Sequence, residues 1–378
     1  MSTTVSYTTD AVLNVVRSKI PAFHKDSVDV TLRNRIFFPL MKKWGTMALG
    51  VDVSWARIWN AKNKLTDAEE WVDTPDQDFE SGPEQQQYSI GVGGYIKKES
   101  MSEQEIEMAS GSKTQIFNLH MEKAADCQTG LANKLNYEAL HGTGVGKRMS
   151  GIDAMLGTGA ATAATDIVAS VSGTYAGQNL ALGVDGTWGS LTLPTAPNAT
   201  LANDWPENPG AKSPEYDWTT PLRLVVNGPW ESGREWKLNC FELLRYWCSV
   251  QKNRGGKVTD PSSEVTALMG ERMHREFRTL AEARNYRLEP VQEAINIGMP
   301  KTVYYEDTWV TFDSDVAHNV CYMLQPDMIE FFTSPKFKNI WAMDGPYTFK
   351  PEFRDLYAAR TLGNFRFHPK FFGDIRSY

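Results

Sequence analysis

Residues Leu131–Gly159 read LANKLNYEALHGTGVGKRMSGIDAMLGTG. The opening of this stretch continues a helical pattern, and the glycines at 142, 144 and 146 then stop it. Read backwards, the pattern extends to about Ser112. Ile116, Leu119, Ala124, Cys127, Leu131, Leu135 and Ala139 recur at steps of three to five residues, while Glu122, Lys123, Asp126, Asn133, Lys134 and Glu138 take the remaining positions. The spacing predicts one amphipathic rod over about 112–140, which at 1.5 Å per residue runs roughly 40 Å. A rod of that length suits a structural spine. The glycines supply the left-handed cap and turn conformations that end it.

The same glycines invite a nucleotide-binding reading of His141–Arg148, HGTGVGKR, and the spacing rejects it. A phosphate loop needs a Gly separated by four residues from its Gly-Lys pair and a Ser or Thr after it; His141 and Arg148 hold those places. The dinucleotide fingerprint needs a strand before its glycines and a third Gly where Lys147 stands. Metal chemistry has no better footing. Histidines 24, 120, 141, 274, 318 and 368 are scattered without paired ligand spacing, and Asp313 and Asp315 in FDSDV read as a turn between strands before a calcium loop. No Gly-x-Ser-x-Gly elbow occurs. The closing NFRFHPKFFGDIR interleaves aromatic and basic residues as an RNA-binding strand would, but reads better as an edge or core strand with outward arginines. No catalytic residue, cofactor site or metal ligand is assigned, and the chain is not read as an enzyme.

Composition narrows the class further. The 378 residues are 41% hydrophobic and 22% charged, enough for one or two domains, and the net charge of −7 argues against a protein built to grip nucleic acid. No apolar run is long enough to span a membrane, and the N-terminus lacks the order of a secretion signal, so the chain is expected in the cytosol. Cys127, Cys240, Cys248 and Cys321 read as buried small hydrophobes.

Around the spine the segments differ in kind. Residues 1–45 read as an extended arm with a short helix at Thr9–Ser18. Met47–Trp59 and Tyr88–Ile96 read as strands. Between them Thr66–Gln87 carries Asp67, Glu69, Glu70, Asp73, Asp76, Asp78, Glu80 and Glu84, a polar tip that buries little. A two-stranded loop this thin needs another surface to lie on. Residues 157–221 are irregular and insertion-like. A helix over Trp236–Lys252 is expected to bury Leu238, Phe241, Leu243, Leu244, Trp247 and Cys248. A second, opened by Asp260-Pro261, is expected to bury Val265, Leu268, Met269, Met273, Phe277 and Leu280. Strands follow at Lys301–Phe312, Val320–Leu324, Met328–Phe332 and Tyr357–Phe367, the last with Tyr357, Ala359, Thr361, Gly363, Phe365 and Phe367 on one face. Blocks of helices and strands indicate an α+β fold.

This order of parts resembles the major capsid proteins of tailed bacteriophages, the Hong Kong phage fold also used by encapsulin shells. Gly82–Ser110 is similar to the return strand of that family's extended loop, Leu131–Gly159 to the end of its spine, Gly255–Phe277 to the helix-turn-helix of its axial domain, and Tyr305–Phe332 and Leu356–Ile375 to its returning strands. The resemblance implies an N-terminal arm over 1–45 and an extended loop over 46–100. It implies a peripheral domain over 101–156 and 301–378, and an axial domain over 157–300 that holds the irregular insertion. It further implies a head protein that assembles with itself into pentamers and hexamers of an icosahedral shell around double-stranded DNA, which it contacts weakly. Trp55, Trp59, Tyr88 and Tyr95 would touch neighbouring subunits. Portal and scaffolding proteins and a decoration protein are the implied partners, with scaffolding supplied separately or not at all; no membrane is involved. The chain would reside in the virion, and in host cytoplasm during assembly. Some members crosslink a loop lysine to a neighbour's asparagine; Lys62 and Lys64 lie near that loop, with no matching acid. The alternatives are an encapsulin-like compartment and, from a different class, a nucleotide-binding enzyme.

Overall fold

A computed structural model describes residues 46–49, 54–60, 85–102, 104–105, 113–157, 168–169, 171, 174–175, 178–179, 187–188, 191–192, 221–226, 235–253, 265–284, 288–290, 302–306, 308–333, 342–349 and 354–377. The expected arm with its helix, the acidic tip up to residue 84, Lys62 and Lys64, and most of 157–221 lie outside these. In chain order the strands are β1 (Thr46–Leu49), β2 (Ser54–Asn60), β3 (Gln85–Gly91), β4 (Gly93–Met101), β5 (Val168–Ala169), β6 (Thr174–Tyr175), β7 (Gln178–Asn179), β8 (Thr187–Trp188), β9 (Leu191–Thr192), β10 (Leu222–Val226), β11 (Val265–Met269), β12 (Glu289–Pro290), β13 (Val303–Tyr305), β14 (Thr308–Phe312), β15 (Val320–Leu324), β16 (Ile329–Thr333), β17 (Ala342–Phe349), β18 (Arg354–Phe367) and β19 (Gly373–Ser377). The helices are α1 (Lys113–His141), α2 (Ile152–Leu156), α3 (Trp236–Asn253) and α4 (Glu271–Ala283). The architecture is α+β, with helices laid on two mixed sheets.

The rod read from the sequence is α1, 29 residues long. It lies on a five-stranded sheet organised by β18, which pairs antiparallel with β4, β16 and β17, while β1 adds a parallel edge to β16. The period-two face of β18 is buried as its spacing predicts, from Tyr357 to Phe367. Aromatic rings continue it: Phe331 lies 5.0 Å from Phe365, and Phe367 lies 5.5 Å from Phe372. From α1, Ala124, Cys127, Leu131, Leu135 and Ala139 enter the same core. Each large apolar side chain buried in this way contributes about 1.5–3 kcal/mol. One assignment on the spine is overturned. Glu138, expected on the solvent side, is fully buried together with Gln128 and Asn136. It stands three residues after Leu135 and seven after Leu131, so the 3.6-residue period carries it into the apolar stripe.

The second sheet has eight strands in the order β12-β13-β14-β11-β15-β19-β10-β5, with α3 and α4 forming its own core. The helix expected from Asp260 onward is half strand. Val265–Met269 is a fully buried strand between β14 and β15, and the helix starts only after Gly270. A short apolar run buried on both faces has no polar alternation to mark it, so periodicity alone misreads it. Leu238 is exposed, not buried: it stands beside Asn239, which leaves helical geometry (φ −130°, ψ 17°), while Trp236 of the same first turn enters the core. The expected strand Lys301–Phe312 is a hairpin, broken at Glu306 with φ 51°. The sheet takes β13, β14, β15 and β19 from the segment expected to form the peripheral domain, so a division at residue 300 would cut through it. The outward arginines of the closing strands are in fact inward: Arg366 pairs with Glu330, and Arg376 with Asp374, both guanidinium groups being buried.

Candidate assembly surface and its root

Strands β2 and β3 form an antiparallel ribbon, with Trp55 opposite Ile90, Arg57 opposite Tyr88 and Trp59 opposite Gln86. Directly opposed residues share a face, and alternate residues return to it. The register therefore collects Trp55, Arg57, Trp59, Gln86, Tyr88 and Ile90 on one face, and leaves the other to Ser54, Ala56, Ile58, Asn60, Gln85, Gln87, Ser89 and Gly91. Among the described residues the ribbon has no third strand. Three of the four residues expected to meet a neighbour thus occupy one face of one ribbon. Tyr95 does not join them. It lies on β4, half-buried against the core, where Lys134 sits 5.6 Å above its ring.

The ribbon gives way to the five-stranded sheet across a single residue, Val92, and the glycine-rich turn after α1 is seated on that junction. Gly94 N–H donates to the Lys147 carbonyl at 3.2 Å, and Met149 N–H donates to Tyr95 Oη at 3.1 Å. Asn364 of β18 accepts the Ser150 N–H at 2.8 Å through Oδ1 and donates from Nδ2 to the Gly91 carbonyl at 2.7 Å. A Cβ at Gly93 would stand 2.9 Å from Met149 Cγ and N, too close for contact. Gly144 and Gly146 take φ of 67° and 70°, the left-handed region in which a side chain is disfavoured. The glycines of HGTGVGKR therefore terminate a helix and dock a turn onto the ribbon's root.

Glu138 holds that turn in place. Its carboxylate accepts from Arg148 Nη2 at 2.9 Å and Lys134 Nζ at 2.7 Å. Burial alone would raise its pKa, but hydrogen bonds from Arg148, Lys134 and Tyr95 outweigh it, and the net shift is downward. Tyr95 is pushed up to about 12, chiefly by burial. A second buried charge cluster fixes α2. Arg223 grips Asp374 through Nε and Nη2, both at 2.9 Å, and also donates to the Leu156 carbonyl at 2.8 Å; Arg376 joins from Nε to Asp374 at 2.6 Å and from Nη2 to the Gly157 carbonyl at 2.7 Å. Sequence reading missed both clusters. Glu138 carried a signal in its helical position; Arg223 and Asp374 stand in strands brought together from 151 residues apart, and carried none. The four cysteines are buried and unbridged, and burial pushes the thiol of Cys127 up to about 11 and that of Cys240 to about 12.

No family model matches the sequence, and no curated protein does. Solved structures resemble the fold along nearly the whole chain. The capsid asymmetric unit of cyanophage A-1(L) is 12% identical, covers 90% of this chain and 92% of its own, and superposes with a TM-score of 0.55. The capsid of an empty GTA particle is 9% identical, covers 90% and 89%, and has a TM-score of 0.50. The SrpI encapsulin complex from Synechococcus elongatus is 7% identical, covers 89% and 86%, and has a TM-score of 0.46. At such identities the likeness is one of fold, and the fold is that of phage capsid proteins. The likeness to the cyanophage A-1(L) subunit extends over nine-tenths of each chain.

Proposed function

We propose that this chain is a major capsid protein, which assembles with itself into the pentamers and hexamers of an icosahedral phage head around double-stranded DNA. The observation that carries the reading is the likeness to the cyanophage A-1(L) capsid over nine-tenths of both chains. The ribbon fits it physically. Two strands bearing Trp55, Trp59 and Tyr88 on one face need a second layer, and a neighbouring copy supplies one. The outer face of the five-stranded sheet also leaves apolar side chains in solvent, Ile96 at 53% and Leu362 at 41% exposure. Electron microscopy of the purified full-length chain tests the proposal. Closed shells are the expected product, and a monomer at every concentration would overturn it. Removing residues 60–86 should leave a folded subunit that forms no closed shells, and normal shells from that deletion would refute the bridging role of the loop.

A further inference from the structure

His141 ends the spine where three elements meet. Its Nδ1 lies 2.5 Å from Asp153 Oδ2 on α2, and its Nε2 lies 2.6 Å from the Asp315 carbonyl oxygen in the turn between β14 and β15. Both ring nitrogens therefore face acceptors, whereas a neutral imidazole has one N–H to give. Only the imidazolium satisfies both. The other oxygen of Asp153 accepts the Tyr322 O–H from β15 at 2.6 Å.

Carboxylates and tyrosines surround the ring. The α2 helix presents Asp153. The turn presents Asp313 and Asp315, whose carboxylates take the Asn136 amide at 3.4 Å and 2.8 Å. On β15 stands Tyr322, and on the spine itself the Tyr137 ring is centred 4.9 Å away. The cations nearby are engaged elsewhere: Lys134 and Arg148 hold Glu138, while Arg223 and Arg376 hold Asp374.

We propose that His141 is a proton-operated clasp, whose imidazolium ties the end of the spine to α2 and to the eight-stranded sheet, and whose deprotonation releases one of the two bonds. The proposal concerns the chain itself and holds whether or not the chain forms shells. The hydrogen bond from Asp153 raises the His141 pKa above its ordinary value, against the opposing effect of burial, with the Asp315 carbonyl adding to the rise. A raised folded pKa means that the clasp is fully engaged below about 6.5, the ordinary imidazole value, and is lost as pH rises through the higher folded value.

Hydrogen–deuterium exchange at histidine C2, followed by mass spectrometry on the intact wild-type chain between about pH 5 and pH 9, reads the ionisation of His141 directly. The expected midpoint lies above the ordinary value. Over the same interval backbone amides of 142–157 and 313–322 should gain about tenfold in exchange beyond the intrinsic pH effect. In His141→Gln, which cannot titrate, that gain should be absent. A midpoint at or below the ordinary value overturns the clasp, as does joint protection that is indifferent to pH. Both are read on the wild type, so the test survives even if His141→Gln fails to fold.

Discussion

Strands β3 and β4 are consecutive and separated only by Val92, yet they belong to different kinds of structure. Among the described residues the β3 strand pairs with β2 alone and forms a ribbon. The β4 strand pairs with β18 over nine residue positions, from Gly93 to Met101, and lies under the spine. Both are polar and β-branched or aromatic by turns, so composition does not separate them. What separates them is the covering helix: β4 lies under α1, while β3 reaches the same core through Ile90 at the ribbon's root. A strand becomes a stable part of a domain when a helix or sheet covers its apolar face, and otherwise it waits for a neighbour.

Amide exchange in the isolated chain should show the largest contrast between the two strands. Amides of β4 and β18 should exchange at least about a thousandfold more slowly than those of β2 and β3, because the former open only with the core. Equal protection would mean that the ribbon is covered by its own chain. Next, Phe365→Ala on β18 should lower stability by about 3–5 kcal/mol in urea unfolding, and Leu135→Ala on the covering helix by about 2–4 kcal/mol. Glu138→Gln should cost about 1–2 kcal/mol at neutral pH, below the 3–5 of a fully enclosed pair, since Lys134 and Arg148 are half exposed and screened. The folded pKa of Glu138 is lowered, so this contribution is present above roughly pH 4.3 and fades as pH falls through the folded value. The difference between wild type and Glu138→Gln should narrow in acid. Smallest for the subunit is Trp59→Ala, at less than about 0.5 kcal/mol. The same substitution should reduce shell yield, scored by sedimentation, and an unchanged yield would remove Trp59 from the contact surface.

How far the sequence discloses this molecule depends on how local the determinant is. The spine was legible because its stripe repeats for eight turns. The buried face of β18 was legible because period two persisted from Tyr357 to Phe367. The β11 strand was misread because Val265–Met269 is enclosed on both sides and has no polar alternation to betray it. Glu138 was assigned to solvent by its charge, although its position in the stripe said otherwise. Tyr95 was grouped with the ribbon because nothing in YSIGVGGYI marks where one sheet ends and the next begins; the boundary is set by Lys147, Met149 and Asn364, which bind the Gly91–Tyr95 backbone and side chains from far along the chain. Of the candidate surface, then, the aromatic residues were legible and the joint that aims them was not.

The position of β19 has a temporal consequence. It runs parallel to β10 and antiparallel to β15, and so joins the part of the sheet that carries β10 to the part that carries β15. Until residues 373–377 have left the ribosome, those parts have no seam between them. Translation thus acts as a timer: a chain whose residues 373–377 have not yet emerged offers an unfinished sheet, and the sheet is completed only once they have.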